Sequence, residues 1–113
     1  MASARKVYDA EQLYAVIDAA SAGDNTIVAA VTGKIILVTS YVIVASGGAQ
    51  TLLRWESGAG GTALTGEMDL GADLSLIAPY NAGGHFQCAI STLLNLQITA
   101  ATSVDGHVSY VLI

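Results

Sequence analysis

The chain has 113 residues, of which 53% are hydrophobic and only 12% are charged. A chain of this length predicts a single domain that buries roughly two-thirds of the surface exposed on unfolding, which requires no disulfide or metal. The formal net charge of −5 and the total of four basic residues argue against a nucleic-acid partner, because phosphate binding needs a basic patch. The small charged share is typical of a subunit that buries surface against other subunits.

The apolar segments are too short to cross a membrane as helices, so we expect no membrane partner. The longest, residues 35–45, contains Thr39 and Ser40, whereas a spanning helix needs about 20 apolar residues. The first residues lack the apolar segment and cleavage site of a secretory signal. The single cysteine, Cys88, permits no intrachain disulfide, which agrees with synthesis in a reducing cytoplasm.

Residues 1–12 are polar, and we interpret them as an N-terminal arm preceding a β-sandwich domain of residues 13–113. Between Leu13 and Ala20 two patterns compete, because the apolar residues fit a helical stripe and also one face of a strand. We favour the strand. The turn-rich residues 21–25 have the length of a hairpin link, and residues 26–31, which are rich in β-branched side chains, supply a partner strand.

Residues 35–46 alternate in a way that leaves both faces apolar. Such a strand is central in its sheet, or packs its outer face on another subunit. Residues 50–57 predict the next strand, with Leu53 and Trp55 on one face. Arg54 and Glu56 lie on the other face, where we expect them to pair with neighbours at the surface.

The middle of the chain is rich in turns and short strands. Residues 57–62 form a glycine-rich loop without the lysine and following helix of a phosphate-binding loop. Short strands follow at residues 64–70, with a bulge at Gly66, and at residues 74–78. A loop at residues 79–84 leads to a strand at residues 85–90.

The last third of the chain shows the clearest period of two. Leu94 to Ala100 and Val108 to Leu112 alternate apolar with polar residues, which indicates strands. Asp105 and Gly106 tolerate positive φ, so we expect an antiparallel hairpin whose final strand is paired inside a sheet. About eight strands and no firm helix predict an all-β fold, an antiparallel β-sandwich that is jelly-roll-like.

A search for chemistry finds no convincing site. His85 and His107 lack metal-ligand spacing, and we interpret them as ordinary loop and strand-end residues. Cys88 lies in an alternating strand and is predicted to be a small core residue rather than a nucleophile. Trp55 beside Leu53 favours a core or interface residue over a sugar-stacking platform.

The acidic residues stand singly at predicted turns or strand ends, where Asp satisfies local amides. Asp69 and Asp73 flank Gly71 and offer two calcium ligands, but the dense acidic loop of a calcium site is missing. We therefore predict no catalytic, cofactor-binding or metal-binding residue, and no cofactor.

Three segments, residues 23–34, 55–66 and 94–111, resemble a group of small β-sandwich structural proteins of tailed bacteriophage virions. The resemblance covers roughly residues 13–113 and consists of strand and turn patterns, so it transfers no functional residue. It implies a capsid decoration (cement) protein, or a related head-fibre or tail protein. Such a protein is made in the host cytoplasm and ends on the outer capsid surface of the virion.

On this resemblance we expect a non-enzymatic protein that stabilises the phage head by bridging subunits of the major capsid protein. The expected partners are the major capsid protein and further copies of the chain, as a homotrimer. The N-terminal arm would contribute to attachment rather than to folding. The alternative is a head-fibre or tail component that binds host-surface glycans.

Overall fold

The computed structural model describes residues 10–100 and 102–113. Within those ranges the chain forms ten β-strands and no helix. The strands in chain order are β1 (Leu13–Ala19), β2 (Gly23–Val28), β3 (Ile36–Ala45), β4 (Thr51–Ser57), β5 (Thr62–Ala63), β6 (Met68–Leu70), β7 (Ser75–Ala78), β8 (Phe86–Gln87), β9 (Leu94–Ile98) and β10 (Val104–Leu112).

The strands form two antiparallel sheets packed face to face. In the first, the β3 sheet, β10 lies between β1 and β3, and both β7 and β8 pair with the other edge of β3. In the second, the β4 sheet, β9 lies between β2 and β4, and both β5 and β6 pair with β4. The pairs are those of one long antiparallel hairpin rolled into two layers, which is a jelly roll. The predicted all-β antiparallel sandwich is confirmed.

Ten strands are present rather than about eight because the outer strand of each sheet is interrupted. Opposite β4, the Trp55 N–H donates to the Thr65 side-chain oxygen at 3.1 Å, so a side chain replaces the backbone acceptor between β5 and β6. Opposite β3, a loop containing Pro79 separates β7 from β8. It stays attached through the Asn81 N–H, which donates to the Thr39 carbonyl at 2.9 Å.

The predicted hairpin in the last third is wrong. β9 belongs to the β4 sheet and β10 to the β3 sheet, so the connection between them crosses from one layer to the other. Asp105 and Gly106 lie inside β10, and Gly106 is paired with Ile17 on one side and Ile43 on the other. A period of two is the same for strands that pair and for strands that face each other across a core, which explains the error.

The predicted hairpin between residues 13–20 and 26–31 is also wrong, for the same reason. Leu13–Ala19 is a strand, as favoured over the helix. It pairs with β10, however, while β2 pairs with β9 in the opposite sheet. The turn at residues 20–22 therefore carries the chain between layers rather than between neighbours in one sheet.

β3 is a central strand, as its two apolar faces indicate. β10 pairs with one edge of β3, and β7 and β8 pair with the other. Its alternation changes phase within the strand. Ser40 is opposite Ser109 and Val38 is opposite Tyr110, which leaves Thr39 as an extra residue. This bulge turns the side chains of both halves of β3 toward the core: Ile36, Val38, Tyr41, Ile43 and Ala45.

An aromatic cluster fills the core between the sheets. The ring of Trp55 from the β4 sheet lies 5.3 Å from Tyr41 and 5.9 Å from Phe86, both from the β3 sheet, in tilted geometries. Trp55 and Leu53 are fully buried, as the sequence predicts. The strand β10 is held at its end by paired bonds of 3.0 Å between the backbones of Ile113 and Ile35, which confirms a terminal strand paired inside a sheet.

The position of Gly106 in β10 gives a test of this packing. Its φ is +148°, and a Cβ there would collide with the Val42 carbonyl oxygen of β3. We expect Gly106→Ala to lower the free energy of unfolding by about 3 kcal/mol or more, measured by urea denaturation. Gly66→Ala is the matched control, because nothing lies within 4 Å of its added Cβ. Equal losses in the two variants would contradict the register of β10 against β3.

Candidate interaction surface

An apolar row crosses the outer face of the β3 sheet, away from the core. It consists of Val16, His107, Val42 and Ile77, which lie in register on β1, β10, β3 and β7. Val16 is 69% exposed and Ile77 is 63% exposed. Large aliphatic side chains at such exposure, aligned across a sheet, are a surface that a partner protein would bury.

The rows on either side differ in chemistry. On one side Tyr14, which is 74% exposed, lies in register with Ser109 and Ser40. On the other side Asp18 lies directly opposite Asp105, whose carboxylate accepts a hydrogen bond from the Ser46 hydroxyl. The face therefore runs from a tyrosine end through the apolar row to an acidic end.

The edge of this face is formed by β1, a regular strand of seven residues. One edge of β1 pairs with β10, and no strand within residues 10–100 and 102–113 pairs with the other. The opposite edges of the two sheets consist of interrupted strands of two to four residues. β2 is also an edge strand, but a register shift between Thr26 and Val28 breaks its regularity. β1 is thus the longest unbroken edge.

A buried polar cluster lies on the outer side of the β4 sheet. Glu56 and Asn95 are in register on β4 and β9, and both are fully buried. The Asn95 side-chain nitrogen donates to Glu56 Oε1 at 2.8 Å and to Asp24 Oδ1 at 2.9 Å. Arg54 Nε donates to Glu56 Oε2 at 2.7 Å. The prediction that Arg54 and Glu56 pair with neighbours at the surface is therefore corrected: the two form an ion pair with each other, and Glu56 is fully buried.

The glycine-rich loop is bonded to this cluster through Asp24. The Gly60 N–H donates to Asp24 Oδ1 at 3.2 Å, so the loop between β4 and β5 reaches across the sheet to β2. A buried carboxylate is tolerated only when it is paired and hydrogen-bonded, and Glu56 has both an ion pair and an amide donor. The cluster therefore fastens the loop to the sheet.

The two histidines lie in different surroundings. His85 Nε2 lies 2.7 Å from the Pro79 carbonyl, and its ring meets the edge of Tyr41 at 6.4 Å. His107 is exposed in the middle of the apolar row. Across the described part of the chain, no three His, Cys, Asp or Glu side chains are grouped to hold a metal.

The two candidate calcium ligands, Asp69 and Asp73, are both engaged in local hydrogen bonds. Asp69 accepts a hydrogen bond from Gln50 Nε2 at 2.5 Å. Asp73 adopts a positive φ of 62°, and its N–H donates to the Ala45 carbonyl at 2.8 Å. Asp73 is thus a turn residue, and Asp18, Asp24 and Asp105 each lie one residue from a strand end, as the sequence predicts, whereas Asp69 is the middle residue of β6.

Cys88 is a buried free thiol, as predicted for a small core residue. Its Sγ donates to the Leu93 carbonyl at 3.6 Å. Burial raises the pKa of the Cys88 thiol to about 11. A nucleophilic cysteine needs the opposite, a lowered pKa and an accessible sulfur.

Sequence reasoning found neither the apolar row nor the polar cluster. Each is assembled from strands far apart in the chain, and only the register between those strands brings the residues together. The one signal in the sequence was the second apolar face of residues 35–46, which supplies Val42 to the row. No helix in the described residues is long and apolar enough to span a membrane.

The polar cluster is tested by removing its central donor. Asn95→Ala leaves Glu56 without its amide partner in a buried position, and we expect a loss of about 2–3 kcal/mol in the free energy of unfolding. The matched control is Gln97→Ala, two residues along the same strand and half-buried. A urea midpoint for Asn95→Ala equal to that of the control would show that the cluster adds no stability.

The state of Cys88 is tested with a thiol reagent. Since a pKa of about 11 leaves about one thiol in a thousand ionised at pH 8, the folded protein should react far more slowly than the protein in urea. The rate should rise as the pH approaches 11, because the thiolate is the reacting form. Rapid modification of the folded protein at pH 8 would show that Cys88 is accessible.

No protein-family model and no curated protein matches the sequence. Two solved structures are similar at low identity. One is a chain of the Bacillus endospore appendages, described as a novel family of disulfide-linked pili: identity is 18%, the match covers 91% of this chain and 87% of that chain, and the TM-score is 0.49. The other is from a crystal structure of PirA, at 14% identity, 88% and 92% coverage and a TM-score of 0.45. Neither structure is described as that of a phage protein.

Proposed function

We propose that this protein is a non-enzymatic structural subunit that acts by binding further copies of itself and a larger assembly. The observation that carries this proposal is the apolar row on the outer face of the β3 sheet. Val16 and Ile77 lie at its two ends, 69% and 63% exposed. With only 12% charged residues, the chain has few charges to keep an exposed apolar face in solution, so we expect a partner to cover that face.

The disposition of the reactive groups supports a role without catalysis. Glu56 and Asp24 are engaged in the polar cluster, and Cys88 is buried with a raised pKa. An active site needs such groups free and directed at a common point in a cleft. Here they bond to the protein itself.

The specific form of the proposal is a capsid decoration protein on the outer surface of a tailed-phage head. It rests on the resemblance of residues 23–34, 55–66 and 94–111 to virion β-sandwich proteins. In this role the subunit bridges neighbouring copies of the major capsid protein and favours the assembled shell over the separated subunits, as does any ligand that binds one state. The resemblance implies three copies for each unit. The proposed attachment arm lies mostly in residues 1–9, outside the described residues.

The alternative, a head-fibre or tail protein that binds glycans, is favoured by two exposed aromatic residues. Tyr14 is 74% exposed and Tyr80 is 61% exposed, and sugar rings stack on such side chains. Trp55, the strongest stacking residue, is buried in the core and adds nothing to this surface. The capsid interpretation therefore stands first.

Two measurements test the proposal. Light scattering at micromolar concentration should give a multiple of the 11.5 kDa chain mass, and three copies would match the resemblance. Phage heads stripped of the protein should release DNA at a lower temperature than decorated heads, and adding the purified protein should restore the difference, because binding stabilises the intact shell.

Each measurement has a contrary result. A monomer at all concentrations would remove self-association from the proposal. Equal heat resistance of stripped and decorated heads would remove the capsid role, and binding of the purified protein to a glycan array would then support the alternative.

A further inference from the structure

We propose that the edge strand β1 pairs antiparallel with β1 of a second copy, around a two-fold axis that passes through Val16. The inference rests on the self-association proposed above and names its contact. It joins the two β3 sheets into one continuous sheet. Among the described residues no strand pairs with the outer edge of β1, which therefore supplies the backbone groups that such pairing needs.

Pairing centred on the middle residue of β1 gives a self-complementary register. Val16 is the central residue of the seven, so pairing around it places Val16 opposite Val16 of the second copy. The flanking pairs follow from the antiparallel direction. In order outward from the axis they are Ala15 with Ile17, Tyr14 with Asp18 and Leu13 with Ala19.

These pairs match in size and chemistry. On the core side, Ala15 meets Ile17 and Leu13 meets Ala19, which sets a small residue against a large one. On the outer side, the Tyr14 hydroxyl donates to the Asp18 carboxylate of the second copy. No two acidic side chains of β1 meet across the axis. Cross-strand pairs of this kind stabilise a sheet, and like charges in opposition destabilise it.

The partner we infer is a second copy because an isologous contact requires a patch that is complementary to itself, and this register provides it. The apolar row gives a further reason. The row ends at Val16, so the two-fold axis joins the rows of both copies end to end in one strip across the outer face. In a strand from an unrelated protein, no symmetry would place complementary residues opposite both ends of β1.

The size of the contact sets its expected strength. Seven residues span roughly 23 Å along the strand, and two sheets are about 10 Å apart. The contact area, about 23 Å by 10 Å on each copy, is small beside the roughly 800 Å² per partner of a standard interface. We therefore expect a dimer that forms at micromolar concentration. A two-fold pairing closes after two copies, and it predicts twice the chain mass rather than the three copies that the resemblance implies.

A charge exchange at the axis tests the contact. Val16→Lys alone places like charges opposite each other, as does Val16→Glu alone, and each variant should be a monomer by sedimentation at concentrations where the wild type is a dimer. A 1:1 mixture of the two variants should recover the dimer mass, because the new lysine then faces the new glutamate. The matched controls are Ile77→Lys and Ile77→Glu, at the far end of the same row and similarly exposed, and both should remain dimers. Circular dichroism checks that each variant is folded.

Cross-linking gives a second readout. Residues directly opposite in an antiparallel pair have Cα atoms about 4.5–5.5 Å apart, within the reach of a disulfide. Val16→Cys should therefore form a covalent dimer on oxidation, whereas Ile77→Cys should not. Because Cys88 is buried, it can stay in both variants.

The outcomes separate this inference from the proposed function. A wild-type protein that associates while both Val16 charge variants also associate, or while Val16→Cys fails to cross-link, overturns the β1 contact and leaves the structural role standing. Efficient cross-linking of Ile77→Cys would place the contact on the sheet face instead, and would also overturn it. A wild-type monomer at every concentration removes both the contact and the self-association on which it rests.

Discussion

The packing of Trp55 against Tyr41 and Phe86 is the constraint on which the two-layer structure depends. It fills the gap between sheets with the largest fully buried side chain of the described core. Burial of this kind, about 150–250 Å² for an aromatic residue, dominates the energetics of a small core. The same cluster holds β8 against β3. Although β8 has only two residues, its Phe86 packs on Trp55 of the opposite sheet.

The positions of β1, β3, β4 and β9 were predictable, whereas the bounds of β2, of the short strands in the middle of the chain and of the start of β10 were not. Leu53 and Trp55 alternate with polar residues, and such a period belongs to half-buried strands alone. The pairing was not predictable, since Leu13–Ala19 and Gly23–Val28 have the sequence of a hairpin but enter different sheets. The bulge at Thr39 was also hidden, because one extra residue in an apolar strand leaves no compositional trace.

The surfaces were less predictable than the fold. Glu56 sits on an outward-facing strand position and is nevertheless fully buried, with Asn95 from a neighbouring strand and Arg54 bonded to its carboxylate. Val16 and Ile77 are separated by sixty residues of chain and meet in one row through two intervening strands. Such contacts depend on register, and register is a property of the whole sheet rather than of any segment.

The place of β10 between β1 and β3 has a consequence for the order of folding. Leu13 pairs with Tyr110, so among the described residues the first strand pairs with the last. Until β10 has been synthesised, β1 lacks this partner and one edge of β3 lacks its neighbour, so the β3 sheet cannot close. Pairings this distant in sequence have a high contact order, and all-β proteins of this kind fold in milliseconds to seconds rather than microseconds. The nascent chain therefore exposes β3, the most apolar of the described strands, until β10 has been synthesised, and chaperones bind exposed apolar segments of this kind.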